Sequence, residues 1–184
     1  MCPRAHSEDR QPPDEALLSR PDDTDSGLQI IISATHLTLY IYHSGEIRVM
    51  AIMTWSDALS VNIKEIDDQH KKLVGMVNQL HAAMLKGEGK LVVGPILAEL
   101  TAYTIYHFNT EEGYMEKYSY PSLQTHRLEH QRFVQKVGEF KSAYDDGTIG
   151  LSSEVMHFLA DWLKDHILGT DKKFGPYFNS KGLY

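Results

Sequence analysis

The feature that most constrains this chain is the placement of histidines and carboxylates on the apolar faces of four successive helix-like segments. The first segment runs from about Asp67 to Lys86. Leu73, Val74, Val77, Leu80, Met84 and Leu85 recur there at helical spacing and share their stripe with His70, and Gly87 and Gly89 end the pattern. The second runs from about Leu91 to Lys117, with Pro95 near its first turn. Its stripe holds Ile96, Leu97, Leu100, Thr104, His107, Glu111, Tyr114 and Met115. Pro121 separates it from a third segment, about Ser122 to Tyr144, with Leu123, His126, His130, Phe133, Val134, Val137 and Phe140 on one face. Asp145-Asp146-Gly147 is a turn signal. The fourth runs from about Ser152 to Gly169, with Ser152 or Ser153 as N-cap and a stripe of Val155, Phe158, Leu159, Trp162, Leu163, His166 and Ile167. Helices of similar length joined by short loops predict an all-α fold, an antiparallel up-down-up-down four-helix bundle.

Each stripe therefore carries polar groups where a core wants none. His107 and Glu111 are four residues apart, so they stack on one face about 6 Å apart along the axis. His126 and His130 share that spacing, His70 stands alone, and His166 is followed by Asp171. A single histidine on an apolar stripe is more often a hydrogen-bonded core residue than a ligand. Four helices contributing such groups to one interior are different, because burying uncompensated charges costs several kcal/mol each. Convergence on a metal removes that penalty. His70, His107, His126, His130 and His166 offer five imidazole nitrogens, and Glu111 and Asp171 offer four oxygens if both bridge. With two contacts from one bridging hydroxide, these fill eleven of the twelve positions around two octahedral metals. One open site remains. Mixed imidazole and carboxylate ligation suits iron, and ligand type alone leaves zinc, nickel and copper open.

Bulk properties narrow the function class. The chain has 184 residues, enough for one domain and some tail, and a net charge of −7, which argues against a nucleic-acid partner. A single cysteine, Cys2, excludes an intramolecular disulfide and favours a reducing, cytoplasmic setting. The apolar run from Leu28 to Tyr42 is too short and too polar to span a membrane, and the N-terminus has no apolar signal core.

Residues 1–27 are rich in Pro, Asp, Ser and Arg and read as disordered. Residues 28–49 look strand-like, but with no second such run a strand there has no evident partner. We expect residues 1–49 to be an extension, disordered or outside the native chain, ahead of a domain over 50–184. Met50 and Met53 both stand just before the globular pattern, and Ser44-Gly45-Glu46 is the triplet a translated purine-rich ribosome-binding site gives.

Several stretches resemble the hemerythrins, specifically the single-domain bacterial type: Met53-Thr54-Trp55-Ser56-Asp57, Ile66-Asp67-Asp68-Gln69-His70-Lys71-Lys72-Leu73, and His107-Phe108-Asn109-Thr110-Glu111-Glu112. Tyr120-Pro121, His126-Arg127-Leu128-Glu129-His130, and Trp162-Leu163-Lys164-Asp165-His166-Ile167 with Asp171 complete the set, covering about residues 50–178. The resemblance implies two iron ions with a bridging hydroxide or oxide, and O2 as ligand. It implies His126, His130 and His166 on one iron, His70 and His107 on the other, and Glu111 and Asp171 as bridges. It also implies that O2 binds at the open iron beside a pocket of Leu73, Phe108, Trp162, Leu163 and Ile167, in a monomer that supplies an O2-consuming oxidase or monooxygenase. One spacing resists an ideal helix. His166 and Asp171 are five apart, so the helix must widen locally by a π-type turn or the Asp must reach across.

Three other readings compete. His126-x-x-Glu129-His130 matches a zinc-peptidase signature with Glu129 as base, but it leaves the other five ligand candidates unexplained. A di-iron oxidase, peroxidase or nitric-oxide-handling enzyme normally has a more anionic, Glu-rich shell. An O2 or iron sensor module needs an output domain, which the short polar extension does not supply. A non-enzymatic O2 carrier is the expectation.

Overall fold

A computed structural model describes residues 28–32, 39–43, 46–88, 90–148, 150 and 153–184, the backbone alone through residue 49. Helix α1 spans Lys64–Leu85, α2 Lys90–Lys117, α3 Leu123–Asp145 and α4 Ser153–His166. A π-helical turn, Ile167–Asp171, follows α4 and leads into a short α5, Lys172–Asn179. The connections 86–89, 118–122 and 146–152 are too short to cross the bundle, so successive helices run antiparallel. α1 packs against α2 and α4, and α2 against α3, which sets the four helices side by side around one core.

The loop chemistry is local. At the end of α1, Gly87 takes a positive φ of 66°, and the N–H groups of Gly87 and Glu88 bond the carbonyls of Met84 and Ala83. That pairing satisfies two of the helix's last carbonyls. Gly147 does the same for α3, where Thr148 bonds Ala143 and Gly147 bonds Tyr144. Before α1, the Asp67 carboxylate reaches back to accept the Val61 N–H at 2.8 Å and the Ser60 hydroxyl at 2.5 Å. Asn78 holds the incoming strap in a two-way clamp, accepting from the Met53 N–H and donating to its carbonyl. Packing on the bundle begins at the half-buried Ile52 and the buried Met53.

The described helices match the expected segments closely, with three differences. Pro95 lies in the second turn of α2, inside the helix, rather than in the first. The separate helix α5 is not signalled by the sequence pattern. Its buried residues are Phe174, Gly175 and Phe178, too short a pattern to separate from the tail of α4. The third difference concerns the extension. Residues Leu28–Ile32, Leu39–His43 and Glu46–Val49 form β1, β2 and β3 of a three-stranded antiparallel sheet in the order β1-β2-β3. Register runs Leu28 opposite His43 and Tyr40 opposite Val49. These residues take the strand conformation that their β-branched and aromatic composition suggests, and the partners that the sequence does not show are supplied by one another. The single apolar run is long enough to be cut into three strands that partner one another. Residues 1–27 lie outside the described residues.

α2 also corrects the reading of apolar length. Among the described residues it is the helix long and apolar enough to cross a membrane by length and composition. Its buried face carries His107 and Glu111, and it packs on α1 and α3, so these properties belong to a bundle helix.

Candidate metal centre

The seven ligand candidates meet in one buried layer. His70, His107, Glu111, His126, His130, His166 and Asp171 all come from the four bundle helices and the π turn, and none is more than 5% exposed. Helical spacing alone puts His107 and Glu111, and His126 and His130, on shared faces. His166 and Asp171 need the π turn. The Lys172 N–H bonds the carbonyl of Ile167, five residues back, so the extra residue per turn brings Asp171 round to the face of His166. Asp171 Oδ1 then lies 3.2 Å from His166 Nε2.

Each carboxylate divides its oxygens between two sets of imidazoles. Glu111 Oε1 faces His70 Nε2 at 3.5 Å and His107 Nε2 at 3.4 Å. Its Oε2 faces His126 Nε2 and His130 Nε2, both at 3.2 Å. Asp171 Oδ2 faces His70 Nε2 at 3.3 Å, while Oδ1 faces His126 Nε2 at 3.6 Å and His166 Nε2 at 3.2 Å. The donor atoms thus form two groups within metal-holding reach: Glu111 with His126, His130 and His166, and Glu111 with His70 and His107.

The donors fit a pair of metal ions better than they fit each other. Both ring nitrogens of His70, Glu111 Oε1 and both Asp171 oxygens are buried without a hydrogen-bond partner. Orphaned buried polar atoms are rare and costly. His130 Nε2 and His166 Nε2 lie 3.0 Å apart, so two lone-pair positions point at one place. The electrostatics agree. Burial dominates at His107, whose pKa is pushed down to about 4, and it also lowers that of His166. At His70 burial is outweighed by Asp171 and Glu111, which raise the value to about 9, and Glu111 likewise raises His126 against burial. Burial opposes ionisation of Glu111, yet His107, His126, His130 and His70 hold its carboxyl well below the usual range. Imidazoles and carboxylates thus lean on one another for charge balance, a role that bound metal ions would take over from protons.

The outer ring nitrogens are held from neighbouring helices. Gln69 Oε1 on α1 accepts from His107 Nδ1 on α2 at 2.9 Å. Glu112 on α2 accepts from His130 Nδ1 on α3 at 3.0 Å, and Glu129 on α3 lies 3.2 Å from His166 Nδ1 on α4. With Nδ1 donating, each Nε2 lone pair is left facing inward. Sequence reasoning does not find Gln69, Glu112 and Glu129 as partners of these histidines. Each stands beside a ligand candidate in sequence but serves one on the next helix, and sequence spacing carries no signal for that. The peptidase role considered for Glu129 gives way to this contact, since its carboxylate is occupied by His166 and by the Thr170 hydroxyl at 2.9 Å. His81 is half-buried and outside the layer.

Above the layer lies a narrow apolar cavity of about 20 Å³, room for one small molecule. Leu73, Phe108, Trp162 and Leu163 line it, joined by Val77, Leu100, Thr104, Phe133, Val137 and Leu159. Ile167, the fifth pocket candidate, is fully buried in the same apolar cluster but is not among the lining residues, because the π turn seats it beside the metal layer. Phe108 stacks on His130 at 3.6 Å between centroids, and Trp162 on His166 at 4.4 Å, so two wall residues of the cavity back ligand candidates.

Comparison with known proteins agrees with this geometry. Residues 61–178 match the family described as Hemerythrin HHE cation binding domain. The chain is 34% identical over 125 residues to a bacteriohemerythrin of Stenotrophomonas maltophilia, covering 68% of this chain and 80% of that protein. It is 34% identical over 128 residues to a bacteriohemerythrin of Methylococcus capsulatus, covering 69% and 97%. A crystal structure of wild-type hemerythrin superposes with a TM-score of 0.66 at 34% identity, covering 68% of this chain and 97% of that one. A four-helix bundle, a buried histidine-carboxylate layer and this match over most of the bundle together place the chain in the hemerythrin family.

Proposed function

We propose that this protein binds O2 reversibly at a non-haem di-iron centre. His126, His130 and His166 hold one iron, His70 and His107 hold the other, and Glu111 and Asp171 bridge them. The observation that supports this most strongly is the division of both carboxylates, one oxygen toward each histidine set. A three-histidine and a two-histidine position sharing Glu111 and Asp171 would be unequal, and the two-histidine position would be the one left with room for O2. The iron pair, when bound, supplies the electrons for reversible O2 binding.

The chain's own residues do the rest. Neutral imidazoles favour iron(II) over the higher oxidation states that anionic shells stabilise. Leu73, Phe108, Trp162, Leu163 and the buried Ile167 exclude water from the layer, which slows irreversible oxidation. The role that follows is that of a monomeric cytoplasmic carrier, store or scavenger that supplies an O2-consuming oxidase or monooxygenase, with no catalytic turnover of its own.

The test is an iron count on anaerobically purified protein, followed by optical spectra as O2 pressure is raised and lowered. Two irons per chain and a spectrum that reverses with pressure are expected. One zinc per chain, or O2 consumed without return, rules the proposal out. His107→Ala is expected to hold fewer than two irons; two irons and normal O2 binding in that variant would show the ligand assignment to be wrong.

A further inference from the structure

The polar contacts behind the ligand candidates, two hydrogen bonds and one ion-pair contact, pass from helix to helix in one direction, and they change character on the way. Gln69 of α1 backs His107 of α2 with a neutral amide oxygen. Glu112 of α2 backs His130 of α3, and Glu129 of α3 backs His166 of α4, both with carboxylates. The sequence of contacts stops at α1, where the outer nitrogen of His70 is buried and has no hydrogen-bond partner. Two of the three imidazoles in one set are therefore carboxylate-backed, and neither imidazole in the other set is.

Both backing carboxylates are themselves fixed. Glu112 accepts from Arg127 Nε at 2.7 Å, and Arg127 also reaches Glu116 at 2.5 Å. Glu129 accepts from the Thr170 hydroxyl within the π turn. Gln69 is held more loosely, its amide nitrogen 3.4 Å from Thr110 Oγ1 and 3.5 Å from Glu65 Oε1. A carboxylate behind an imidazole pulls on its N–H and makes the opposite nitrogen a stronger donor, and loss of such an outer partner costs about 10–100-fold in metal affinity.

We infer that Glu112 and Glu129 are positioning residues that make the two metal positions unequal, so that the His126, His130, His166 position fills first and the His70, His107 position fills second and empties first. The inference rests on the di-iron reading above. It also gives that reading a physical order: the position with the vacancy is the weaker one, assembled on a site already organised by its neighbour, because Glu111 and Asp171 are shared.

The experiment is a stepwise anaerobic Fe(II) titration of the metal-free full chain, with native mass spectrometry counting ions per chain and circular dichroism confirming the fold. At one equivalent of Fe(II) the one-ion form is expected to predominate. In the Glu112→Gln, Glu129→Gln double variant, which keeps shape and hydrogen bonding but removes both charges, the first step is expected to weaken by about 10–100-fold. The one-ion form then shrinks. Gln69→Glu is expected to strengthen the second step and narrow the gap from the other side. His107→Ala should keep the first step and lose the second, which fixes the order to the named positions. A wild-type chain that passes from no ions to two without a one-ion form overturns the inference and leaves the di-iron reading intact. So does a double variant with both steps unchanged. A folded chain that takes up no iron overturns the di-iron reading, and the inference with it.

Discussion

The metal layer separates two apolar regions that differ in build. Along α1 it lies between Ile66 on one side and Leu73 on the other, along α2 between Met115 and Leu100, and along α3 between Leu123 and Phe133. The long region runs through the four helices and includes Leu73, Val77, Leu100, Phe133, Val137 and Leu159, with the cavity of about 20 Å³ inside it. The short region is a floor of Val61, Ile63, Ile66, Met115, Phe174 and Phe178, edged by Tyr118, Tyr120 and Tyr177. The floor is tied down by polar contacts: Tyr177 Oη donates to the Tyr118 carbonyl at 2.8 Å, and Asn179 Nδ2 to that of Asn62 at 2.9 Å. The long region keeps a void against ligand candidates, whereas the floor fixes the chain that carries Asp171. The difference teaches that one side is built for access and the other for position.

Metal removal is the strongest way to probe what both regions share. Each ion held at about 1,000 times its dissociation constant stabilises the folded state by about 4 kcal/mol, so stripping both ions is expected to lower the urea midpoint more than any core variant. Hydrogen exchange should then report loss of protection on both flanks of the layer. An unchanged midpoint after complete iron loss would break the link between layer and fold.

The next largest effect separates the regions. Leu73→Ala and Phe174→Ala each delete a buried side chain, and each is expected to cost about 2–5 kcal/mol in urea denaturation. Only Leu73→Ala opens the cavity side. It should speed oxidation of the iron(II) protein in air, while Phe174→Ala, beneath His126 at 5.8 Å between centroids, should chiefly weaken iron retention. Equal oxidation rates in the two variants would erase the proposed distinction.

Gly175→Ala sharpens the reading of the floor. A Cβ there would lie 2.5 Å from the backbone oxygen of Val61, a closeness that neither backbone can relieve without moving. About 1–3 kcal/mol of destabilisation is expected, with less iron retained, because α5 is displaced just after Asp171. Gly113→Ala in α2 is the smallest effect and the control. Nothing lies within 4 Å of its added methyl, and relief of the glycine's helix penalty should stabilise by up to about 1 kcal/mol. A Gly175→Ala midpoint equal to wild type would mean that the floor adapts rather than holds.

Much of the bundle can be read from residues alone, because its causes are local and periodic. Leu73, Val77 and Leu80 at helical spacing fix a buried face of α1, and the same period in α2, α3 and α4 carries His107 with Glu111 and His126 with His130 onto theirs. The misfit at the end of α4 is legible too, since His166 and Asp171, five apart, cannot share a face of an ideal helix; the structure resolves it with a π turn rather than a reaching Asp. The strand character of residues 28–49 is legible, but their pairing escapes such a reading because pairing within one run leaves no second run to find.

What the sequence determined by itself is the set of groups that cannot be left alone in an apolar interior. A buried histidine or carboxylate announces its need for a partner through composition and period, and those are properties of one helix at a time. What only the tertiary structure decided is which partner each group receives. Glu111 gives one oxygen to each histidine set, Gln69, Glu112 and Glu129 reach across to histidines on the next helix, and Ile167 is buried in the same cluster without lining the cavity. These depend on the relative rotation and depth of packed helices, which contacts between helices fix and no single helix's pattern contains.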